Sequence, residues 1–124
     1  MLENYSVKNY LGIGIDIVNV KRFEKIPYKS HLAFYKKIFD ESEIEYCLKH
    51  KNSFRHFAGK FAAKEAVIKS IPKKIRMSDI ITTHQSSKPK IILRKNLPYD
   101  FLVSISHEGD LAVAVAIAQK ASVV

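Results

Sequence analysis

Hydrophobic residues recur along the chain with two periods, one typical of strands and one typical of helices. These periods predict where the strands and helices lie. From Tyr10 to Val20 the sequence YLGIGIDIVNV alternates, which is typical of a strand. One side of this strand carries Ile13, Ile15 and Ile17, and the other side carries Gly12, Gly14, Asp16 and Val18. Because the isoleucines are large and apolar, we expect the strand to be buried.

After this strand the apolar residues recur at helical spacing. The longest periodic segment is Ser53 to Ile71, which we predict to be a long central helix that ends at Pro72. Two shorter helices precede it. We expect Ser30 to cap the first, through Phe39, and Asp40 with Glu43 to form a capping box that opens the second, SEIEYCLKH.

The C-terminal third of the chain predicts strands. Asp79–Thr83 and Lys90–Arg94 flank the polar turn QSSKP, which is typical of a hairpin. Phe101–Ser106 and Leu111–Ala118 flank a second tight turn at Glu108–Asp110. This order predicts an α+β fold, with a mainly antiparallel sheet packed on the long helix. We expect residues 1–124 to form a single domain.

Charge narrows the classes of partner. Lys and Arg number 21 against 12 Asp and Glu, a formal net charge of +9. This excess favours phosphorylated cofactors, acidic proteins, nucleic acid or anionic membrane as partners, or it is a lysine-rich solvated surface without further meaning. No basic run is long or aromatic-rich enough to indicate nucleic acid.

The sequence predicts a cytoplasmic protein with no membrane partner. A single cysteine, Cys47, suits a reducing compartment. No apolar run reaches the roughly 18 residues of a membrane span, and Met1 to Tyr10 are more polar than a signal peptide.

Two carboxylates stand out as candidate metal ligands. Asp16 shares a strand face with Gly12 and Gly14, which leave the space beside it clear for a ligand or metal. Alternatively, Asp16 pairs with a lysine or a backbone amide. Glu65 interrupts the apolar stripe of the long helix, because it lies only about 40° from Phe61 on a helical wheel.

Lysines surround Glu65 in sequence. Lys60 and Lys64 lie one turn apart with His56 below them, and Lys69 lies on the other side of Glu65. The pattern fits a cation held by Glu65 while the lysines contact a polyanion, or an intrahelical Glu–Lys pattern that only solvates the helix.

The ligand types favour a hard cation. Two carboxylates without a Cys or His cluster suit Mg²⁺, which binds one or two carboxylates plus phosphates, better than zinc. His107, in SISHEGD, lies where a strand enters a turn, and it is either a functional side chain or a hydrogen-bonded turn residue.

These residues resemble a known family. Gly14-Ile15-Asp16, followed by FAAKEAVIK at residues 61–69, is similar to the two-part signature of phosphopantetheinyl transferases. The strings GIGIDIV, FAGKFAAKEA and SISHEGDLAVAVAIA resemble the short class, the holo-acyl-carrier-protein synthases. The resemblance runs from Leu11 to Ala118.

The resemblance implies a role for each matching residue. It implies that Asp16 and Glu65 bind Mg²⁺ and that Asp16, Glu65 and Lys69 are catalytic. It implies coenzyme A contacts by the residues Lys60 (usually arginine in the family), Lys64, Lys69, His107, Ser87, Lys88 and Pro89. Ser87 stands where the class has glycine, and the loop Ser70–Lys74 also lacks one, so the resemblance leaves the adenine end of the cofactor site less certain.

The resemblance also implies partners and a reaction. A carrier-protein serine attacks the β-phosphorus of coenzyme A, 3′,5′-ADP leaves, and the holo-carrier serves fatty acid biosynthesis. The acidic carrier protein docks on Lys21, Arg22 and Lys25, and three subunits form a trimer with shared active sites. Two alternatives stay open at this point: a Mg²⁺-dependent nucleotide pyrophosphate hydrolase, and a basic adaptor without catalytic activity.

Overall fold

The computed structural model describes residues 10–120. The elements in chain order are β1 (Leu11–Asn19), α1 (Lys21–Glu24), α2 (Leu32–Ile38), α3 (Glu41–Leu48), α4 (Ser53–Ser70), β2 (Ile80–Gln85), β3 (Lys88–Leu93), β4 (Tyr99–Glu108) and β5 (Leu111–Lys120). Short 3₁₀ helices lie at Tyr28–Ser30 and Met77–Asp79. This is the predicted α+β order. Among the helices described, none combines the length and apolarity needed to cross a membrane.

The strands form two antiparallel sheets. One sheet has three strands in the order β1-β5-β4, and the other is the β2–β3 hairpin. The inner face of β5 consists of alanines that are completely buried, at Ala112, Ala114, Ala116 and Ala118. Because alanine is small, the backbone of α4 can pack closely against this face. The long helix was predicted correctly, and the three-stranded sheet and the short helices α1 and α3 pack on it.

The side of α4 that faces away from the sheet is covered by α1–α3. Aromatic rings form this part of the core, and Phe57 of α4 lies 4.7 Å from Tyr35 and 5.1 Å from Phe39 between ring centroids. Tyr35 keeps its hydroxyl satisfied by donating to the backbone oxygen of Ile26 at 2.6 Å. Burial raises the pKa of Tyr35 to about 12.

Local signals at the helix starts were partly right. The Asp40–Glu43 capping box is present, with the Asp40 amide donating to Glu43 Oε1 at 2.7 Å. The prediction that Ser30 caps α2 is wrong, since His31 occupies the N-cap position. Ser30 belongs to the preceding 3₁₀ helix, and its hydroxyl donates to the Pro27 carbonyl at 3.3 Å.

The expectation that β1 is buried on its isoleucine side is also wrong for the single chain. Ile13 is 70% exposed and Ile17 is 60% exposed. Only the glycine side of β1 packs on α4, and within residues 10–120 no second layer covers the isoleucine side. Alternation predicted which residues share a side, but not which side faces the helix.

The β2–β3 turn keeps a glycine-type conformation without glycine. Gln85 pairs with Lys88, so Ser86 and Ser87 form a two-residue turn, with φ of 52° and 67°. Turns of this kind favour Asn and Gly because both central residues need positive φ. Ser87 stands where the resembled class has glycine, and it keeps the positive φ of this turn. A residue other than glycine adopts this conformation at a cost in free energy.

Candidate active site

Glycines bring β1 against the backbone of α4. A Cβ atom on Gly12 would lie 1.9 Å from the Ser70 carbonyl oxygen, and one on Gly14 would lie 1.9 Å from that of Ala66. The helix backbone itself thus fills the space that the sequence suggested was clear for a ligand. This close approach is what places Asp16, two residues further along the same face of β1, beside α4.

Asp16 is held at this junction by Lys69. Its Oδ1 lies 3.2 Å from Lys69 Nζ, which also donates to the Ile15 carbonyl oxygen at 3.1 Å. The Asp16 side chain is 16% exposed and that of Lys69 is 51% exposed. The lysine pairing foreseen as an alternative for Asp16 is therefore present, with a partner whose side chain is half exposed.

Glu65 lies on the same side of α4 as Lys69, one turn earlier. Gly12 packs at Ser70 and Gly14 at Ala66, so β1 runs antiparallel to the helix and Asp16 lies near the turn that carries Glu65. Glu65 is partly buried, and its carboxylate has no hydrogen bond or ion pair with any other residue between 10 and 120. We call this junction, where Asp16 pairs with Lys69 one helical turn from Glu65, the carboxylate groove.

The predicted docking residues lie at one end of this groove. Arg22 of α1 places its guanidinium 5.1 Å from the centroid of Phe61, which is one helical turn before Glu65. Lys21 on the same short helix and Lys25 at its C-cap are exposed, and Lys21 Nζ lies 3.4 Å from Asp110 Oδ2. The groove therefore opens next to a basic surface.

Lys60 and Lys64 do not join the carboxylate groove. Helical geometry places them about 100° or more around α4 from Glu65, on the flank covered by α3 and β2. Lys60 is 4% exposed and Lys64 is 0% exposed. The expectation that lysines bracket Glu65 on both sides is wrong, since only Lys69 shares its flank.

A buried ionic network engages both of these lysines. Lys64 Nζ donates to Glu43 Oε1 at 2.6 Å and to the Ile38 carbonyl oxygen at 2.7 Å. Glu43 Oε2 accepts 2.7 Å bonds from the amide and hydroxyl of Thr82. Burial lowers the pKa of Lys64, and the adjacent Glu43 carboxylate opposes this shift. In the single chain Lys64 is thus a structural residue, and its coenzyme A contact stays a prediction.

Sequence reasoning missed this network. Glu43 was recognised only as half of a capping box, a role that uses one of its carboxylate oxygens. The available signal was the pair Lys60 and Lys64, which stand among Ala and Phe residues without an acidic neighbour on their own flank. Glu43, the partner of Lys64, lies 21 residues away on another helix, and Thr82, the partner of Lys60, lies 22 residues away on β2. Local pattern does not reach that far.

Four other predicted cofactor residues surround a second cavity. Lys60, Ser87, Pro89 and His107 line a pocket of about 240 Å³, together with residues that the sequence did not single out, Tyr46, His56 and His84. We call it the histidine pocket. Lys88 is exposed on the adjoining strand end.

The carboxylate groove and the histidine pocket lie on opposite flanks of α4. Asp16 belongs to β1 and His107 to β4, which are separated by β5 in the sheet. A Cβ atom on Gly59 would lie 3.2 Å from the His107 ring, so the N-terminal half of α4 packs toward β4 while its C-terminal half packs on β1. One chain alone therefore carries two half-sites that the helix separates.

Comparison with known proteins identifies the family. A sequence model of the 4′-phosphopantetheinyl transferase superfamily matches residues 12–116. The chain belongs to this superfamily. The match includes both the carboxylate groove and the histidine pocket.

Relatives within the superfamily cover nearly the whole chain. A holo-[acyl-carrier-protein] synthase of Thermodesulfovibrio yellowstonii is 38% identical over 108 residues, which is 86% of this chain and 96% of the relative. The corresponding synthase of Ehrlichia chaffeensis is 41% identical over 116 residues, covering 86% of this chain and 94% of its own.

Solved phosphopantetheinyl transferase structures share the fold. A holo-(acyl-carrier-protein) synthase from Bacillus anthracis, in complex with CoA (3′,5′-ADP), superposes with a TM-score of 0.76 at 30% identity, covering 89% of this chain and 96% of that one. A Helicobacter pylori synthase in complex with coenzyme A has a TM-score of 0.72 at 34% identity, with 86% and 98% covered. These similarities confirm the α+β fold and the family that the motifs resembled.

Proposed function

We propose that this chain is a holo-[acyl-carrier-protein] synthase that transfers 4′-phosphopantetheine from coenzyme A to a serine of an acyl carrier protein and releases 3′,5′-ADP. Relatives bearing that name match 86% of the chain. The observation that carries the proposal is the pairing of Asp16 with Lys69 where β1 packs on α4, one helical turn from Glu65. Two acids and a half-exposed cation are suited to a reaction on a pyrophosphate.

The groove fits Mg²⁺. Its donors are carboxylate oxygens, and Glu65 has no other partner in the described chain. A site with only two carboxylates would leave positions for water and phosphate oxygens, as Mg²⁺ prefers. When bound there, Mg²⁺ supplies positive charge to the pyrophosphate oxygens.

Lys69 supplies a second positive charge. Its ammonium holds Asp16 in place in the free chain, and its half-exposed side chain can turn toward a phosphate oxygen when the cofactor enters. Because phosphoryl transfer needs mainly positioning and charge neutralisation, the side chains of the groove need form no covalent bond.

The histidine pocket is the proposed site for a phosphate-bearing end of coenzyme A. Lys60 and His107 supply cationic or hydrogen-bonding groups, and Ser87 and Pro89 form part of its wall. Since α4 separates this pocket from the carboxylate groove in one chain, we propose that the groove of one subunit faces the pocket of another.

A homotrimer with shared active sites would join the two half-sites. Seven of the ten exposed large hydrophobic residues in the described chain lie on the outer face of the three-stranded sheet, at Leu11, Ile13, Ile15, Ile17, Leu102, Leu111 and Ile117. Leu102 and Ile13 both pair with Ile117, so they form a continuous apolar row. An apolar surface of this extent favours burial against another subunit.

Ile13→Asp tests this assembly. A carboxylate in the middle of the apolar row should dissociate the trimer to single chains and reduce turnover at least tenfold, because the half-sites separate. Light scattering coupled to size-exclusion chromatography measures the mass, and Ile92→Asp, on exposed β3, is the matched control. A wild-type protein that is monomeric at micromolar concentration, yet fully active, would contradict the shared site.

The basic surface of α1 is the proposed docking site for the acidic carrier protein. Arg22→Ala should raise the carrier KM about 5- to 20-fold and change kcat little, since an exposed charge contributes mainly to encounter and binding. Steady-state kinetics at several salt concentrations measures this effect. Lys49→Ala, which changes an exposed lysine at the C-cap of α3, is the control. A carrier KM equal to that of wild type would remove Arg22 from the docking surface.

Intact mass of a carrier protein tests the function itself. After incubation with the enzyme, coenzyme A and Mg²⁺, the carrier should gain one phosphopantetheine group, and a chelator should prevent the gain. Release of nucleotide products without any carrier would instead favour a pyrophosphate hydrolase. Carrier binding that is salt-sensitive, occurs without mass gain and survives the loss of Asp16 and Glu65 would favour an adaptor. The cytoplasmic location and the single domain over residues 1–124 stay predictions.

A further inference from the structure

Four of the five histidines in the chain converge on one place. His50 and His56 stack with ring centroids 3.8 Å apart, and His84 stacks on Tyr46 at 4.3 Å. His107 approaches from β4 and lines the same pocket as His56 and His84. A cluster of this kind is too concentrated for a solvated surface and suits a bound ligand.

Its charge balance favours an anion. Among residues 10–120 no Asp or Glu lines the pocket, and Lys60 forms part of its wall. Within the same residues Lys60 Nζ donates only to Thr82, at 2.9 Å to Oγ1 and 3.1 Å to the carbonyl oxygen, and it lies 4.7 Å from the Tyr46 ring centroid. The nearby carboxylate of Glu43 already pairs with Lys64. A buried ammonium whose described partners are neutral attracts a negatively charged ligand.

The hydrogen bonds of the histidine ring nitrogens show which histidine is available to bind a ligand. His107 Nε2 donates to the Arg55 carbonyl oxygen at 3.1 Å and must carry a proton there, because a carbonyl only accepts. His50 Nδ1 is likewise engaged with the Tyr46 carbonyl oxygen at 2.9 Å. His56 forms no hydrogen bond with any residue between 10 and 120, so both of its nitrogens are available to a ligand.

The surroundings of His56 keep it neutral in the free chain. Burial lowers the pKa of His56 to about 4, and neighbouring cations act in the same direction. The titratable or cationic groups around it come from its own helix, α3, the following turn, β2 and β4, and are Arg55, Lys60, Tyr46, His50, His84 and His107. All of these groups are neutral or cationic at neutral pH, so none of them stabilises an imidazolium.

We propose that His56 binds a phosphate group of the cofactor in the histidine pocket and takes up one proton from solvent as that phosphate enters. The inference rests on the proposed function, which already assigns Lys60 and His107 to the cofactor. It adds His56 as a specificity residue for the anionic group and makes affinity depend on pH. Tyr46 positions Lys60 and His56, since its ring contacts both.

The sign of the pH dependence follows from the proton balance. A phosphate dianion beside His56 favours the imidazolium, so the bound state holds one more proton than the free state. Affinity should therefore fall as pH rises, by up to about tenfold per pH unit between the free and bound pKa values of His56. A phosphate monoester is already mostly dianionic at pH 7.5, because its second pKa is about 6, so uptake at that pH belongs to the protein.

Calorimetry of 3′,5′-ADP binding at pH 7.5, in buffers of different ionisation enthalpy, measures the protons taken up. We expect net proton uptake for wild type, and the same uptake for His31→Gln, which changes the one histidine outside the cluster. We expect close to zero for His56→Phe, which keeps an aromatic ring in the stack. Adenosine, which lacks phosphate, should produce no uptake.

Ring ¹⁵N spectra of the wild-type protein provide a second measurement if His56→Phe folds poorly. Adding 3′,5′-ADP at pH 7.5 should convert His56 from the neutral to the imidazolium pattern. Binding without proton uptake, or uptake that His56→Phe leaves intact, would overturn the inference while leaving the proposed function untouched. Failure of 3′,5′-ADP to bind at all would count against the proposed function instead.

Discussion

Asp16→Asn and Glu65→Gln each reduce kcat by at least about 100-fold, on our expectation, while the protein remains folded. Both substitutions keep the size of the side chain and remove the charge that neutralises a cation at the pyrophosphate. Asp16→Asn also loses the pairing with Lys69. Because the Lys69 side chain is half exposed, loss of this pair should change the free energy of unfolding by less than about 1 kcal/mol.

The measurement is steady-state transfer to a carrier protein over a range of Mg²⁺ concentrations. If the two carboxylates bind the ion, partial activity should return at higher Mg²⁺, which a purely structural defect would not produce. Glu45→Gln, an exposed carboxylate on α3, is the matched control. Wild-type turnover in both variants would remove the carboxylate groove from the mechanism and with it the proposed Mg²⁺ site.

The second large expected effect distinguishes Lys64 from Lys69, which the family resemblance assigned alike to coenzyme A contacts. Lys64→Met should lower the free energy of unfolding by about 3–5 kcal/mol, because it leaves Glu43 charged and buried without its partner. Lys69→Met should change stability by less than about 1 kcal/mol and reduce kcat on the order of 100-fold. Urea denaturation at fixed protein concentration and transfer kinetics measure the two quantities.

A double variant sharpens this test. Glu43→Leu with Lys64→Met removes both charges, so it should be more stable than the sum of the two single effects implies. The remaining donors to Glu43, the Asp40 amide and the Thr82 amide and hydroxyl, would still lose an acceptor. A Lys64→Met protein as stable as wild type, but inactive, would return Lys64 to the cofactor site that the family resemblance implied.

Several features of the fold were predictable because their causes are local. The period of apolar residues located α4 and the strands, and the Asp40–Glu43 spacing located the start of α3. The motifs around Asp16 and Glu65 also indicated the family, since the spacing of a signature is written in the chain. The meeting of Asp16 and Lys69 could be anticipated only through that resemblance, because 53 residues separate them.

Other features depended on what packs against each side. Periodicity shows that Ile13 and Ile17 share a face, but not that this face is left uncovered in one chain while the glycine face meets α4. A helical wheel places Lys64 and Lys69 on different sides, but not which side β2 and α3 will enclose.

Order along the chain was thus enough for the long helix, the main strands, the Asp40–Glu43 capping box and the family, because those depend on neighbours within a few residues. The division of the predicted site residues between a groove and a pocket on opposite flanks of α4, and the burial of Lys60 and Lys64, were decided only on folding. The reason is physical: the free energy of a charged side chain depends on the solvent and partners around it, and distant segments supply both.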